Sequence, residues 1–104
     1  MINDKSLIKY KHDTDKGLMH YVVFEGEVVV LSAYESKKVS HIEKNGNLNI
    51  TFDVKSNELD LVKIELVTDM EYVKKVYDYM IEINNAYFTE GYEGLCVLKF
   101  GKKK

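Results

Sequence analysis

The 104-residue sequence contains no proline, no tryptophan and no arginine, and it has a single cysteine. One cysteine cannot form an internal disulfide, and Cys96 lies in an apolar run, so we expect a buried core thiol in a reducing compartment. No apolar run approaches the length of about 18 residues that suggests a membrane span, and no signal-peptide pattern is present. These absences predict a cytoplasmic protein that does not act at a membrane.

Composition and charge narrow the class further. Apolar residues make up 45% of the chain and charged residues 31%, which indicates a folded chain and not a disordered one. The net charge of −2 argues against general nucleic-acid binding. The length fits one domain spanning residues 1–104. A chain this short buries a modest fraction of its surface, so a homodimer is expected to add burial.

Strand-forming patterns dominate the first half of the sequence. The predicted strands are 6–12, 18–24 and 27–33, with turns at 13–17 and 25–26. Residues 28–31 are Val-Val-Val-Leu, apolar on both faces, so the third strand should be central and covered on both sides.

Three more strands are predicted in the second half. Between residues 47 and 54, Leu48, Ile50, Phe52 and Val54 alternate with polar residues, which is typical of a strand with one buried face. A fifth strand is predicted over 59–67 and a sixth over 95–100.

Two helices complete the predicted order, β-β-β-α-β-β-α-β. Ser36 is a suitable N-cap for a first helix over residues 37–44. Thr68 and Glu71 form a capping box for a second helix that ends near Asn84. Its predicted apolar stripe consists of Met70, Val73, Val76, Tyr77, Met80 and Ile81. This order predicts a mainly β protein whose six antiparallel strands form a small barrel.

The start of the first helix carries two adjacent lysines, Lys37 and Lys38, where positive charge is unfavourable. A helix N-terminus offers unpaired backbone N–H groups and suits a phosphate group. The Ser32 hydroxyl, at the end of the preceding strand, could reach the same anion. Lysines beside an N-cap are also common as plain surface charge, so the local spacing leaves both interpretations open.

The wider arrangement of this segment is informative. Residues 32–38, Ser-Ala-Tyr-Glu-Ser-Lys-Lys, join a strand to a helix, and Asn45-Gly46 leads to the next strand. This resembles the flavin-binding core of the pyridoxamine 5′-phosphate oxidase-like family, in which a strand ends in Thr, Ser-Arg-Lys opens a helix and Asn-Pro forms the turn. Ser32 stands at the Thr position, Lys37 at the Arg and Lys38 at the Lys. The resemblance extends from about Leu7 to Phe100.

The resemblance implies a split β-barrel that forms a homodimer and binds flavin mononucleotide (FMN) in a groove between the subunits. Ser32, Ser36, Lys37 and Lys38 would hold the phosphate. Backbone groups of Tyr21, Val22 and Val23 would run along the flavin ring. The implied activity is a small flavin-dependent oxidoreductase with a small-molecule substrate or electron donor, and no catalytic residue is assigned.

Several departures from the family pattern matter. Lys37 in place of Arg loses a planar bidentate donor, and no helix precedes the first predicted strand. The anchors that true pyridoxamine phosphate oxidases use for the substrate phosphate are missing: Phe24 stands where a Lys is expected, and no Arg or His follows Ala86. Oxidation of pyridoxamine phosphate is therefore not expected. The alternative is a cofactor-free dimeric binding or structural protein that keeps the fold.

The remaining candidates for a functional site are weaker. His12, His20 and His41 lack metal-ligand spacing, so no metal site is predicted, and none is placed persuasively for haem, which some proteins of similar fold handle. His41 is expected on an exposed helix face. Tyr87, Phe88 and Tyr92 form an aromatic loop cluster that either covers the barrel end or a dimer seam, or lines a flavin or substrate site.

Overall fold

The fold is that of a computed structural model, and it is described for residues 7–12, 15–53, 55–83 and 90–102. The described residues form seven strands and two helices. The strands are β1 (Leu7–His12), β2 (Asp15–Phe24), β3 (Glu27–Ala33), β4 (Asn47–Thr51), β5 (Asp60–Lys63), β6 (Glu65–Val67) and β7 (Leu95–Lys102). The helices are α1 (Lys37–Asn45), between β3 and β4, and α2 (Met70–Glu82), between β6 and β7.

The seven strands form one antiparallel sheet in the order β5-β4-β1-β2-β3-β7-β6. Its two edge strands, β5 and β6, are consecutive in the chain and only Ile64 separates them. The sheet must therefore curl until its edges lie side by side, and the result is a nearly closed barrel. The predicted fold class, a mainly β split barrel with two helices, is confirmed, with seven strands where six were predicted.

The additional strand comes from a break in the predicted strand 59–67. β5 pairs with β4, whereas β6 pairs with β7 at the other edge of the sheet. The buried Ile64 lies at the break, and its N–H donates to the Gly46 carbonyl at 3.0 Å. A run of strand-forming residues does not reveal that its two ends pair with different strands.

Two hydrophobic clusters hold the fold together. One fills the barrel interior and is closed by Val39 and Ile42 of α1. The other lies on the outer face of β2, β3 and β7, where Val73, Val76 and Met80 of α2 cover the sheet. β3 runs between the two clusters, which is why its residues 28–32 are all buried, as predicted for a central strand.

Three local predictions need correction. β4 ends at Thr51, earlier than predicted. Phe52 is 51% exposed, with its ring packed edge-on against Tyr21, so the predicted buried alternation does not include it. The last residue of the predicted alternation, Val54, lies outside the described residues. The N-cap of α2 is Asp69, not Thr68: the Asp69 carboxylate accepts from the Glu71 N–H at 3.2 Å. β2 begins at Asp15, earlier than predicted.

The α2 stripe is confirmed at its centre and wrong at its ends. Val73, Val76 and Met80 are buried and Tyr77 is partly buried, whereas Met70 and Ile81 are exposed. α2 ends at Glu82, close to the predicted end at Asn84, which lies outside the described residues.

Candidate functional site

The turn from β3 to α1 brings two serine hydroxyls together. Ser36 has extended backbone (φ −80°, ψ 158°), and its Oγ accepts from the Val39 N–H at 3.3 Å, which makes it the N-cap as predicted. The Oγ of Ser32, at the end of β3, lies 3.4 Å from the Oγ of Ser36. Ser32 is only 1% exposed, so this hydroxyl pair is set into the barrel wall at the start of α1.

The two lysines that follow take different directions. Lys37 is exposed, whereas Lys38 is half-buried and its Nζ lies 5.5 Å from the centre of the Tyr10 ring on β1. Burial lowers the pKa of Lys38, and the nearby Cys96 opposes that effect. A half-buried ammonium group above an aromatic face gains from the ring's negative quadrupole but is short of hydrogen-bond acceptors.

Cys96 lies beneath this segment, opposite Ser32 on the paired strand β7. The thiol is fully buried, as predicted, and burial raises its pKa to about 11, although the Lys38 charge acts in the opposite direction. A thiol in this state is a poor nucleophile at neutral pH. Cys96 is therefore a core residue of the site and supplies no thiolate chemistry.

A hydrogen bond ties the turn to the helix. The Tyr34 hydroxyl donates to Oε2 of Glu43, in the last turn of α1, at 3.1 Å. This bond and the negative charge of Glu43 raise the pKa of Tyr34. The Tyr34 N–H also donates to the Gly94 carbonyl at 2.9 Å, so the turn before α1 is anchored at two points.

An open pocket of about 460 Å³ lies along the outer side of α1. Ser36, Lys37, Ser40 and His41 line it from the helix, and His12 lines it from the end of β1. Lys38 and Ser32 are not among its lining residues. The four predicted phosphate ligands therefore divide: Ser36 and Lys37 face the pocket, while Ser32 and Lys38 lie towards the barrel.

Two histidines meet at this pocket. The rings of His12 and His41 stack with centroids 5.0 Å apart, and the His12 ring also stacks with the Tyr10 ring at 6.0 Å. Tyr10 lies in turn against Gly17, where a Cβ would come within 2.9 Å of the Tyr10 hydroxyl. Glycine at position 17 therefore allows the Tyr10 ring to lie close to the β2 backbone.

His12 is 5% exposed, and its Nδ1 is buried without a hydrogen-bond partner among the described residues. A buried polar atom without a partner is rare in folded proteins and calls for a physical explanation. The sequence prediction treated the three histidines as scattered and expected His41 on an exposed face. The alternation of Ile8, Tyr10 and His12 along β1 was the signal that His12 points inward.

Tyr21, Val22 and Val23, the predicted ring contacts, lie on β2 beside β3. Tyr21 pairs with Val30, two residues before Ser32, so this stretch and the hydroxyl pair are on adjacent strands. The Tyr21 and Val22 side chains are buried in opposite clusters, while Val23 is partly exposed. Burial of their side chains leaves backbone groups of Tyr21 and Val22 for any ligand contact, and contact with a flavin ring stays a prediction.

Of the predicted aromatic loop cluster, Tyr87 and Phe88 lie outside the described residues. Tyr92 packs against Tyr77 of α2, with ring centroids 5.8 Å apart, and joins the outer cluster. The Tyr77 hydroxyl also accepts from the Gly91 N–H at 2.9 Å. Tyr92 therefore packs on α2 at Tyr77.

Two further observations concern the described residues as a whole. They contain no group of three or more His, Cys, Asp or Glu side chains arranged to hold a metal ion. Neither helix within the described ranges has the length and hydrophobicity needed to cross a lipid bilayer.

Comparison with known proteins supports the fold. No family model and no curated protein matches the chain. The structure is similar to a crystal structure from Listeria innocua described as a putative pyridoxamine 5′-phosphate oxidase, with a TM-score of 0.59 and 10% sequence identity. The similarity covers 94% of this chain and 82% of the other. At this identity the likeness establishes a shared split-barrel fold.

Proposed function

We propose that this chain binds FMN and acts as a small flavin-dependent oxidoreductase. The observation that carries the proposal is the pair of Ser32 and Ser36 hydroxyls, 3.4 Å apart at the start of a helix that opens with two lysines. Unpaired N–H groups of the first helical turn, two hydroxyls and two ammonium groups are the donors that a phosphate monoester requires.

Different residues would bind the phosphate and the ring of FMN. Ser32 and Lys38 would hold the FMN phosphate from the barrel side of α1, and Ser36 and Lys37 from the pocket side. Backbone N–H and C=O groups of residues 21–23 would bond the polar edge of the flavin ring. Bound flavin supplies hydride and electron transfer, while the protein supplies binding and orientation.

The proposed reaction is not the oxidation of pyridoxamine phosphate. That substrate carries a second dianionic phosphate, which needs its own cluster of cationic donors in a partly buried pocket. The chain has no arginine, and Lys99, in the last strand, is engaged with Glu27 at 3.3 Å and lies over Tyr72 at 5.2 Å. We expect reduction of a small acceptor with a nicotinamide donor. Robust formation of pyridoxal phosphate by purified protein would contradict this.

We also propose that the protein is a homodimer. Leu18 and Leu61 are 56% and 63% exposed, and the strand registers put both on the outer face of the β5-β4-β1-β2 half of the sheet, which α2 does not cover. A second copy would bury this apolar surface. A monomer by light scattering at micromolar concentration would contradict the dimer and, with it, a cofactor groove between subunits.

The second candidate function is a cofactor-free dimeric binding or structural protein. The position of Lys38 favours it, because its ammonium already lies over Tyr10 and burial already lowers its pKa. The absorption spectrum of purified protein, followed by titration with FMN, separates the two candidates. Flavin absorption bands, or quenching of added flavin fluorescence with saturation, support the flavoprotein. A colourless protein that leaves flavin fluorescence unchanged supports the cofactor-free alternative.

A further inference from the structure

The pocket on the outer side of α1 contains charges that cancel at neutral pH. Lys37 and Lys44 contribute two positive charges to its lining, and Asp15 and Glu35 contribute two negative charges. The two stacked histidines are the only other titratable groups among its described lining residues. Imidazole is the side-chain group whose ordinary change of charge falls between about pH 5 and 8, so a proton added to either ring would make the net charge of these lining residues positive.

The surroundings of the histidine pair also include groups outside the pocket lining. Tyr10 of β1 stacks on His12, and burial, together with the Asp15 charge, raises the pKa of that phenol. The Lys38 Nζ lies over the Tyr10 ring, 5.5 Å from its centre. On α1, the Asn45 side-chain amide lies 3.3 Å from Nδ1 of His41 and donates to the His41 carbonyl.

His12 distinguishes this pocket from an ordinary polar depression of the surface, because it is a buried polar residue that lines the pocket. The ring is 5% exposed, lines the pocket and has no partner for Nδ1 among the described residues. Buried acceptors without a partner are less rare than buried N–H groups without one, so the neutral ring is best accommodated with its proton on Nε2. Adding a second proton creates a buried cation, which requires a nearby negative charge.

The start of α1 offers a place for such a charge. Ser36 and Lys37, the N-cap and the first residue of a nine-residue helix, line the same pocket as His12, and a helix start favours an anion. An anion held there would stabilise the protonated ring, and the protonated ring would strengthen binding of the anion. By linkage, each of the two ligands increases the affinity for the other by the same factor.

We propose that the pocket formed by His12, His41, Ser36 and Lys37 is a proton-coupled site for a phosphate monoester, in which His12 becomes a charged donor when the anion binds. This takes over part of the role that an arginine would play in a chain that has none. If the phosphate is that of FMN, the inference rests on the proposed function and deepens it, and the two share Ser36 and Lys37; otherwise the phosphate is that of a second ligand. The test below gives a separate result for each source.

The first experiment uses sulfate, which remains a dianion between pH 6 and pH 8, so that only the protein titrates. Binding is measured by calorimetry and by following the imidazole signals in NMR spectra. One proton taken up with the anion predicts binding that tightens by up to about tenfold for each pH unit lowered, and so by at most about a hundredfold from pH 8 to pH 6. The His12 imidazole signals should shift on sulfate addition towards those of a protonated ring.

His12→Gln is the decisive variant, and His20→Gln is its control because His20 lies on β2 and does not line the pocket. We expect His12→Gln to remove the pH dependence and His20→Gln to retain it, with folding of both variants checked by thermal unfolding. Sulfate binding with no pH dependence, no sulfate binding at either pH, or an unchanged dependence in folded His12→Gln protein would each overturn the proposal.

Competition with FMN then identifies the source of the phosphate. Displacement of sulfate by FMN assigns the site to the cofactor phosphate, and independent binding of both assigns it to a second phosphate-bearing ligand. Failure of the proposed function gives a different pattern: flavin fluorescence remains unchanged at every pH, while pH-dependent sulfate binding persists. Flavin fluorescence therefore tests the proposed function, and the pH dependence of sulfate binding tests the proton-coupled site.

Discussion

The two helices begin with opposite charge. α2 follows the rules for a stable helix, because Asp69 caps it and Glu71 lies in the first turn, where a negative charge favours the positive end of the helix dipole. α1 has a serine cap followed by Lys37 and Lys38, with no acidic residue in its first turn. Both lysines oppose the helix dipole, so α1 loses stability at a place where α2 gains it.

The helices also differ in what they bury. α2 covers the outer sheet with Val73, Val76 and Met80, and its exposed face carries an i,i+4 ion pair. The buried side chains of α1 are Val39 and Ile42, while its outer side faces a polar pocket. Departures from local stability rules concentrate at functional sites, so the difference supports the proposal that the start of α1 binds an anion, whereas the start of α2 follows the rules for helix stability.

The largest expected effect tests how α1 is held. Ile42→Ala should lower the free energy of unfolding by about 3 kcal/mol, because it removes a fully buried side chain and leaves a cavity in the barrel interior. Urea unfolding measures the change. Ile81→Ala, at an exposed position of α2, is the control and should cost less than about 1 kcal/mol. Equal losses in the two variants would show that α1 does not close the barrel as described.

The next effect concerns Lys38, the inward lysine of α1. Lys38→Glu should weaken FMN binding by about a hundredfold, since it replaces a partly desolvated cation with a charge that repels the phosphate. Fluorescence titration with FMN gives the affinity. Lys75→Glu makes the same charge change on the exposed side of α2, where we expect no effect on flavin. Equal flavin affinity in the Lys38 variant and the wild-type protein would place the phosphate elsewhere.

The contrast between the helices also explains how far the sequence could predict the molecule. Pattern alone predicted the doubly buried β3 and the buried centre of the α2 stripe, because repeated burial leaves a signal in the apolar run Val28–Leu31 and in the helical spacing of Val73, Val76 and Met80. It missed the break at Ile64, because a change of partner strand alters the pairing and leaves the residue types unchanged. It also chose Thr68 over Asp69, two adjacent residues that are both good caps.

The candidate site was predictable in part for similar reasons. Ser36 and Ser32 could be placed because the cap and the strand end are local features, and the structure brings their hydroxyls together. His12 and His41 are 29 positions apart in the chain (41 − 12), and their stacking depends on where the fold places α1 relative to β1. No local pattern encodes that contact, so the sequence suggested three isolated histidines.

A smaller effect compares the two caps directly. Ser36→Ala and Asp69→Ala each remove the side chain that accepts a first-turn N–H, and each should cost about 1 kcal/mol of stability. Only Ser36→Ala should also weaken FMN binding, because its hydroxyl lies beside that of Ser32. Thermal unfolding and flavin titration of both variants test this. If the two losses of flavin affinity match, the cap of α1 has no role beyond helix stability.

The smallest effect is a reversal of charge at each helix start. Lys37→Glu should raise the free energy of unfolding by about 0.5 kcal/mol, because it puts a negative charge at the positive end of the α1 dipole, and Glu71→Lys should lower stability by a similar amount. Lys37 is exposed and Lys38 half-buried, so Lys37→Glu should weaken FMN binding less than Lys38→Glu does.

The combination distinguishes a binding role for Lys37 from plain surface charge. A variant that is more stable and binds FMN less tightly shows that the helix gives up stability for an anion. Urea unfolding at low ionic strength measures the first quantity, since added salt screens exposed charges, and flavin titration under the same conditions measures the second. A gain in stability with unchanged flavin affinity would mean that Lys37 is surface charge, and that Lys38 alone supplies the cation of the site.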